Sequence, residues 1–151
     1  MAELNFEEER INFTPVILYV DYINLQFSNY LKHNSTDITP RDFTYLVNIF
    51  YHPNCSQKYL ANLLYVSESN VTQIIKKLKK KGLVTRTVDV TNKSRKVINL
   101  SEDGRLIVWK LMKLIFEWEA KFFEEYDDGD EQKFKKMIYD YSEKSIPYDK
   151  V

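Results

Sequence analysis

Between Ser67 and Gly82 the chain spells a helix with marked ends, and what surrounds it leaves few folds open. Ser67 suits an N-cap, since its hydroxyl can accept from first-turn amides that lack partners. Gly82 suits the position just past the last turn, where the backbone takes a positive φ. Val71, Ile74, Ile75 and Leu78 recur at spacings of three and four, so one stripe of this helix faces a core. Two segments rich in β-branched residues follow at once, 83–88 and 95–100, with the polar stretch 89–94 between them. They read as a two-stranded hairpin. Upstream, Thr39-Pro40 opens an amphipathic helix carrying Phe43, Leu46, Val47 and Phe50, which Pro53 ends. Ser56 caps a short helix carrying Tyr59, Leu60, Leu63 and Leu64. Three helices leading into a hairpin make a winged helix-turn-helix.

More helix lies on both sides of that unit. Thr14-Pro15 reads as an N-cap with proline at the first helical position, and Val16, Val20, Ile23, Phe27 and Tyr30 continue the pattern to about His33. Ser101, Glu102 and Asp103 open a long helix in which Leu106, Trp109, Met112, Phe116, Leu111, Leu114, Ile115, Trp118 and Phe122 cover nearly every side. So apolar a helix calls for cover from a partner chain. After an acidic turn at 127–130, Phe134, Met137, Ile138 and Tyr141 mark a last helix that Pro147 stops. The expected fold class is mainly α (α+β), a winged helix-turn-helix with long N- and C-terminal dimerisation helices. The expected divisions are an N-terminal dimerisation helix over 1–36, a DNA-binding unit over 37–100, and C-terminal dimerisation helices over 101–151.

Charge separates the middle of the chain from its flanks. Over all 151 residues, 22 Lys and Arg balance 22 Asp and Glu. Residues 56–96 hold ten of the cations and only Glu68 and Asp89 as anions, a net +8, which leaves −8 elsewhere. A basic centre between acidic flanks points to a polyanionic partner. Other classes find little material. No apolar run is long enough to cross a membrane. Residues 1–10 are acidic and lack the layout of a signal peptide. The single cysteine, Cys55, suits a reducing compartment, and a cytoplasmic location is expected. No Gly-rich phosphate loop or zinc-protease motif is present, so no cofactor, no metal and no enzymatic activity are expected. His52 and Cys55 alone fall short of a structural zinc set. Cys55 also sits beside a helix start, which would favour a thiolate, but a structural or incidental role is the expected one.

The outward face of the 68–81 helix carries the chemistry. Ser69, Gln73, Lys76 and Lys80 lie opposite the apolar stripe, with Asn70, Thr72 and Lys77 at its edges. Hydroxyls and amides in the early turns suit base edges, and lysines in the later turns suit phosphates. A face chosen only for solubility would not gather Ser, Asn and Thr, which are poor helix formers. Lys93 and Arg95 at the hairpin tip suit an adjacent minor groove. A winged-helix protein-interaction module without sequence-specific DNA binding is the alternative, but such a helix would expose apolar anchors.

Several stretches resemble the MarR family of dimeric winged-helix transcriptional regulators. Residues 38–43, ITPRDF, resemble the LTPREF that opens the family's second helix. Residues 56–64, SQKYLANLL, resemble SQKELAxxL. Residues 66–73, VSESNVTQ, followed by Leu78 and by KGLVTR at 81–86, resemble the VSxSTVTR…LxxKGLVxR recognition segment. Residues 100–104, LSEDG, resemble LTxxG. The resemblance implies a homodimer clasped by its terminal helices on a pseudo-palindromic double-stranded DNA operator. It implies a regulator, expected to be a repressor, that a small ligand releases. Carried over by position, Ser67, Ser69, Asn70, Thr72, Gln73, Lys76, Lys77 and Lys80 contact DNA, supported by Arg86, Lys93 and Arg95. The family's effector pocket implies a small aromatic or phenolic effector, with Tyr19, Tyr22, Tyr30, Tyr45 and Trp109 as candidate walls. The chain departs from the pattern at two places. Asn92 and Ser94 stand where the wing usually reads D-x-R, and Tyr65 stands where a glycine often precedes the recognition helix.

Overall fold

A computed structural model describes residues 6–35 and 37–144. Its elements run α1 (Phe6–Phe13), α2 (Val16–Asn34), α3 (Pro40–Tyr51), α4 (Gln57–Leu64), α5 (Glu68–Lys80), β1 (Val84–Val88), β2 (Lys96–Leu100), α6 (Glu102–Phe123) and α7 (Asp130–Lys144). The chain packs as two compact units, 1–108 and 109–151, and α6 passes from the first into the second.

Caps set the boundaries in the first unit. Thr39 accepts from the Asp42 amide at 3.1 Å while the Asp42 carboxylate accepts from the Thr39 amide at 3.3 Å, a reciprocal capping box that starts α3. Ser56 accepts from the Tyr59 amide and Ser67 from the Asn70 amide. Ser101 accepts from the Gly104 amide at 3.0 Å and so opens α6. The core gathers Leu31 of α2, Leu46 and Ile49 of α3, Leu60 of α4, Val71 and Leu78 of α5, and Ile98 of β2, all with essentially no exposure. Phe27 meets Phe43 edge to face at 5.8 Å, joining α2 to α3.

β1 and β2 pair antiparallel, with Val84 opposite Leu100, Arg86 opposite Ile98 and Val88 opposite Lys96. On its other side Ile98 donates its amide to the Cys55 carbonyl at 2.8 Å, so the segment before α4 adds a bridge to the hairpin. Strand β2 therefore sits between two neighbours and buries Val97, Ile98 and Leu100, whereas β1 buries only Val84.

Two expectations need correction. The chain forms a helix, α1, ahead of the first one foreseen, and Thr14-Pro15 is the joint between α1 and α2. Thr14 donates its hydroxyl back to the Arg10 carbonyl at 2.7 Å, so it closes α1 and does not cap α2. Pro15 itself occupies the N-cap position, at ψ 140, and α2 begins at Val16 without a side-chain cap. The strands also begin one residue later than the β-branched segments do: Leu83 is spent on closing α5, and β2 starts at Lys96, the partner of Val88 at the end of β1.

In the second unit an aromatic cluster joins the end of α6 to α7. Phe123 lies 5.9 Å from Phe134 and 6.1 Å from Tyr126, edge to face in both cases. Lys135 of α7 pairs with Glu119 of α6 at 3.5 Å and with Glu131 at 2.5 Å, and these two carboxylates raise its pKa. No described residue of α7 is buried, and Phe134, Met137 and Tyr139 remain exposed.

Candidate nucleic-acid interface

The turn between α4 and α5 sets the direction of α5. Tyr65 takes the left-handed conformation, φ 52 and ψ 43, that closes α4. A non-glycine residue there is strained. Tyr65 is 74% exposed. Glycine's usual place in this turn is thus filled by a tyrosine in glycine's backbone conformation. Two residues on, the Ser67 hydroxyl caps α5 and lies 3.0 Å from the Ser69 hydroxyl.

At its far end α5 closes with two bonds. Leu83 donates to the Leu78 carbonyl at 3.0 Å and Gly82 to the Lys79 carbonyl at 2.9 Å. Gly82 takes φ 74 and both leucines are buried. This is the Schellman arrangement with its apolar contact, and it turns the chain directly into the hairpin. Ser101 donates its hydroxyl to the Gly82 carbonyl at 2.5 Å, so the start of α6 is tied to the same joint.

Helix α5 buries Val71, Ile75 and Leu78 and leaves Ile74 half-buried, and its opposite face carries Ser69, Gln73, Lys76 and Lys80, all exposed. The residues at its edges are fastened to neighbouring helices. Arg41 of α3 donates to the Asn70 side-chain oxygen. Gln57 of α4 donates to the Thr72 hydroxyl at 2.6 Å, and that hydroxyl donates to the Glu68 carbonyl at 2.8 Å. Lys77 reaches inward and places its Nζ 2.9 Å from both oxygens of Asp42. Lys81 lies 3.4 Å from the same carboxylate and also donates to the Asp37 carbonyl. Asp42 is 0% exposed. Burial on its own would raise its pKa, but the bonds from Lys77 and the Thr39 amide, with the charges of Lys77 and Lys81, hold the carboxyl below its ordinary value.

The wing is braced within its own tip. The Asp89 amide donates to the Arg95 carbonyl at 2.8 Å, and the Asp89 carboxylate accepts from the amide and hydroxyl of Thr91, each at 2.8 Å. Those bonds, with the Arg95 charge, lower the Asp89 pKa. Asn92 accepts from the Ser94 amide and hydroxyl. Arg95 Nε lies 3.8 Å from Asp89, while Lys93, Lys96 and, on β1, Arg86 are exposed.

The expected DNA-facing residues all lie in the first unit. Sequence reasoning did not assign Arg41, Asp42 or Gln57 to that set. All three stand inside the quoted motifs, but their partners lie 15 to 35 residues away, and no local signal reveals such a pairing.

The other candidates divide. Tyr45 is 3% exposed and belongs to the core, where burial raises its pKa against the pull of the nearby Arg41. Its hydroxyl has no partner in hydrogen-bonding geometry. The Tyr19 hydroxyl lies 3.5 Å from the Arg10 and Ile11 carbonyls, Tyr22 is exposed, and Tyr30 is half-buried. Trp109 belongs to the second unit, where it lines an open groove of about 760 Å³ with Lys113, Phe116 and Ala120. Cys55 sits in the core as a structural thiol. It is buried, and desolvation pushes its thiol up to about 11, which outweighs any help from the helix start. Among the described residues no cluster of His, Cys, Asp and Glu could hold a metal ion, and no helix is long and apolar enough to cross a membrane.

Residues 38–96 match the model of the MarR family. This 59-residue segment of the chain is similar to a MarR-family domain. That family consists of transcriptional regulators with a winged DNA-binding fold and not of enzymes. Among curated relatives, the HTH-type transcriptional regulator YybA of Bacillus subtilis is 29% identical over 77 residues, about half of each chain (51%). An HTH-type transcriptional regulator of Bacillus cereus is 24% identical over 83% of this chain and 80% of its own. Among solved structures, a MarR family protein from Bacillus stearothermophilus superposes with a TM-score of 0.76 at 21% identity, covering 96% of this chain and 98% of its own. Streptococcus pneumoniae FabT, solved in complex with DNA, superposes with a TM-score of 0.72 at 17% identity, covering 90% and 95%. At such identities the likeness is one of fold.

Proposed function

We propose that the protein is a transcriptional repressor that binds a pseudo-palindromic operator as a homodimer. The observation that carries this reading is the outward face of α5. Ser69, Gln73, Lys76 and Lys80 are exposed on a helix capped at both ends and fastened to α3 and α4, beside a wing that exposes Arg86, Lys93 and Lys96. Such a face enters a major groove N-terminus first, with the wing at the adjacent minor groove. Ser67, Ser69, Asn70, Thr72 and Gln73 meet base edges or nearby phosphates, and Lys76, Lys80 and Arg86 neutralise phosphates, with Lys93 and Arg95 at the wing. Arg41 joins this set, since only part of its guanidinium is occupied by Asn70. Lys77 belongs chiefly to Asp42. FabT, bound to DNA in its structure, and the MepR F27L mutant, bound to an oligodeoxyribonucleotide, share the fold and support the reading.

Dimerisation rests on exposed apolar residues that one chain leaves uncovered. In the first unit these are Val16, Ile17, Tyr22 and Ile23 of α2, and in the second Trp109, Phe116, Phe122, Phe134 and Met137. A dimer sets two recognition helices about 34 Å apart, one helical turn of DNA. A small aromatic or phenolic effector acting through Tyr19, Tyr22, Tyr30, Tyr45 or Trp109 would release DNA by favouring another spacing of the two helices. A cytoplasmic location accompanies this function.

Fluorescence anisotropy tests the proposal, using duplexes from around the protein's own gene, a scrambled duplex and several salt concentrations. We expect preference for the native sequence and a log–log salt slope of about −0.9 per phosphate neutralised. Sedimentation should give a dimer at the same concentrations, and a promoter–reporter assay should show reduced transcription. Absence of binding to any duplex at low salt would overturn the proposal and favour a protein-interaction role.

A further inference from the structure

Thr72 lies on the exposed side of α5, but its hydroxyl is used inside the protein. Oγ1 donates to the Glu68 carbonyl one turn back at 2.8 Å and accepts from Gln57 Nε2 of α4 at 2.6 Å. A hydroxyl has a single proton. That proton stays within the protein even if the Gln57 amide is turned over, because both neighbours of Oγ1 would then be protein acceptors. The bond to the carbonyl four residues back also fixes the side-chain rotamer. With Oγ1 held against its own helix and against Gln57, the part of Thr72 left to the outside is its γ-methyl.

A methyl group has one partner among the marks of the major groove, the C5-methyl of thymine. We infer that Thr72 reads a thymine methyl by van der Waals contact, with Gln57 as the positioning residue, and that the Thr72 hydroxyl donates to no base. The inference rests on the DNA-binding reading above and narrows it. A residue whose hydroxyl suggests a polar reader thus acts as an apolar one, and polar discrimination at the centre of the face passes to Gln73.

Selection of duplexes from a random pool by the full-length protein supplies the probe. Each thymine of the enriched duplex is then replaced in turn by uracil, which removes only the C5-methyl. Wild type should bind about fourfold more weakly per half-site when the thymine under Thr72 is replaced, the value of one buried methyl. Thr72→Val keeps the methyl and lacks the hydroxyl. It should bind the thymine duplex within about twofold of wild type and show the same uracil penalty. Thr72→Ser keeps the hydroxyl and lacks the methyl. It should bind the thymine duplex about fourfold more weakly and lose little more with uracil, because the two changes remove one contact. The reverse pattern, with Thr72→Ser like wild type and Thr72→Val about tenfold weaker, overturns the inference, since the hydroxyl would then be the reader. A duplex enriched but indifferent to uracil at every thymine also overturns it while leaving the DNA-binding proposal standing. If no duplex is enriched, that proposal fails and the inference falls with it.

Discussion

Replacing Asp42 with asparagine tests whether charge holds the recognition helix in place. The carboxylate is 0% exposed. Lys77 Nζ lies 2.9 Å from both of its oxygens, Lys81 Nζ lies 3.4 Å from one, and the Thr39 amide donates at 3.3 Å. Asparagine keeps the shape and an acceptor for Thr39 but removes the charge. Breaking a fully buried ion pair on one side costs about 3–5 kcal/mol. Here the two lysine side chains remain 43% and 35% exposed. Water therefore recovers part of their solvation and screens the Coulomb attraction. We expect Asp42→Asn to cost about 2 kcal/mol. Asp42→Ala should cost roughly 1 kcal/mol more, because it also loses half of the capping box and leaves a void.

Urea unfolding followed by circular dichroism measures this, at one fixed protomer concentration because assembly adds to apparent stability. The midpoint should fall while the slope stays constant. Lys77→Met should also destabilise, and the Asp42→Asn, Lys77→Met double variant should cost clearly less than the sum of the singles. Acid supplies a second reading. The folded-state pKa of Asp42 is depressed from 3.8, so its contribution is complete above that value and is lost as pH falls from there through the folded pKa. The gap between wild type and Asp42→Asn should hold at neutral pH and close only below about pH 4. A loss under about 0.5 kcal/mol for Asp42→Asn, or additive singles, would refute the reasoning.

Lys76→Ala and Lys80→Ala should each reduce the magnitude of the salt slope of DNA binding by about one, measured by anisotropy. Lys77→Met should change it by less than about half of that while lowering stability. Gly104→Ala should lower stability by about 2 kcal/mol in urea unfolding despite alanine's better helix propensity. The added Cβ would stand 2.0 Å from the Leu83 carbonyl oxygen, and that backbone is fixed by the end of α5. Cys55, buried and with its thiol pushed up to about 11, should react with iodoacetamide at pH 8 far more slowly in native protein than in urea, as followed by mass spectrometry.

Much of the fold was legible because its signals are local. Thr39-Pro40, Ser56, Ser67, Gly82 and Ser101 act through backbone groups within a few residues, and each ends or starts an element where its chemistry says it should. The apolar stripe of α5 was legible for the same reason, since periodicity alone places Val71, Ile75 and Leu78 inside. Thr14-Pro15 misled because a hydroxyl that can cap the helix after it can equally bond the turn before it, and α1 supplies that turn. Tyr65 was legible as an anomaly, and its left-handed backbone shows that the turn keeps its geometry without glycine. The fastening of α5 to Arg41, Gln57 and Asp42 was not legible. Those pairings join residues far apart in sequence, and a polar side chain that ends on a buried carboxylate looks, in the sequence, like one that ends on a phosphate.

The lysine run at 76–81 shows how structure divides such residues. Lys77 and Lys81 are four apart and both reach Asp42. Lys76 and Lys80 are also four apart and both are exposed on the outward face. Positions four apart share a side of a helix, whereas neighbours differ by about 100° in direction. The run is therefore two stripes offset by one residue, one holding the helix to α3 and the other left exposed. Counted as charge, the two stripes are the same. They differ only in phase, which Val71, Ile75 and Leu78 set by committing the apolar stripe to the core. One residue inserted between Ile75 and Lys76 would turn Lys76 and Lys80 toward Asp42 and carry Lys77 into the core position that Leu78 holds.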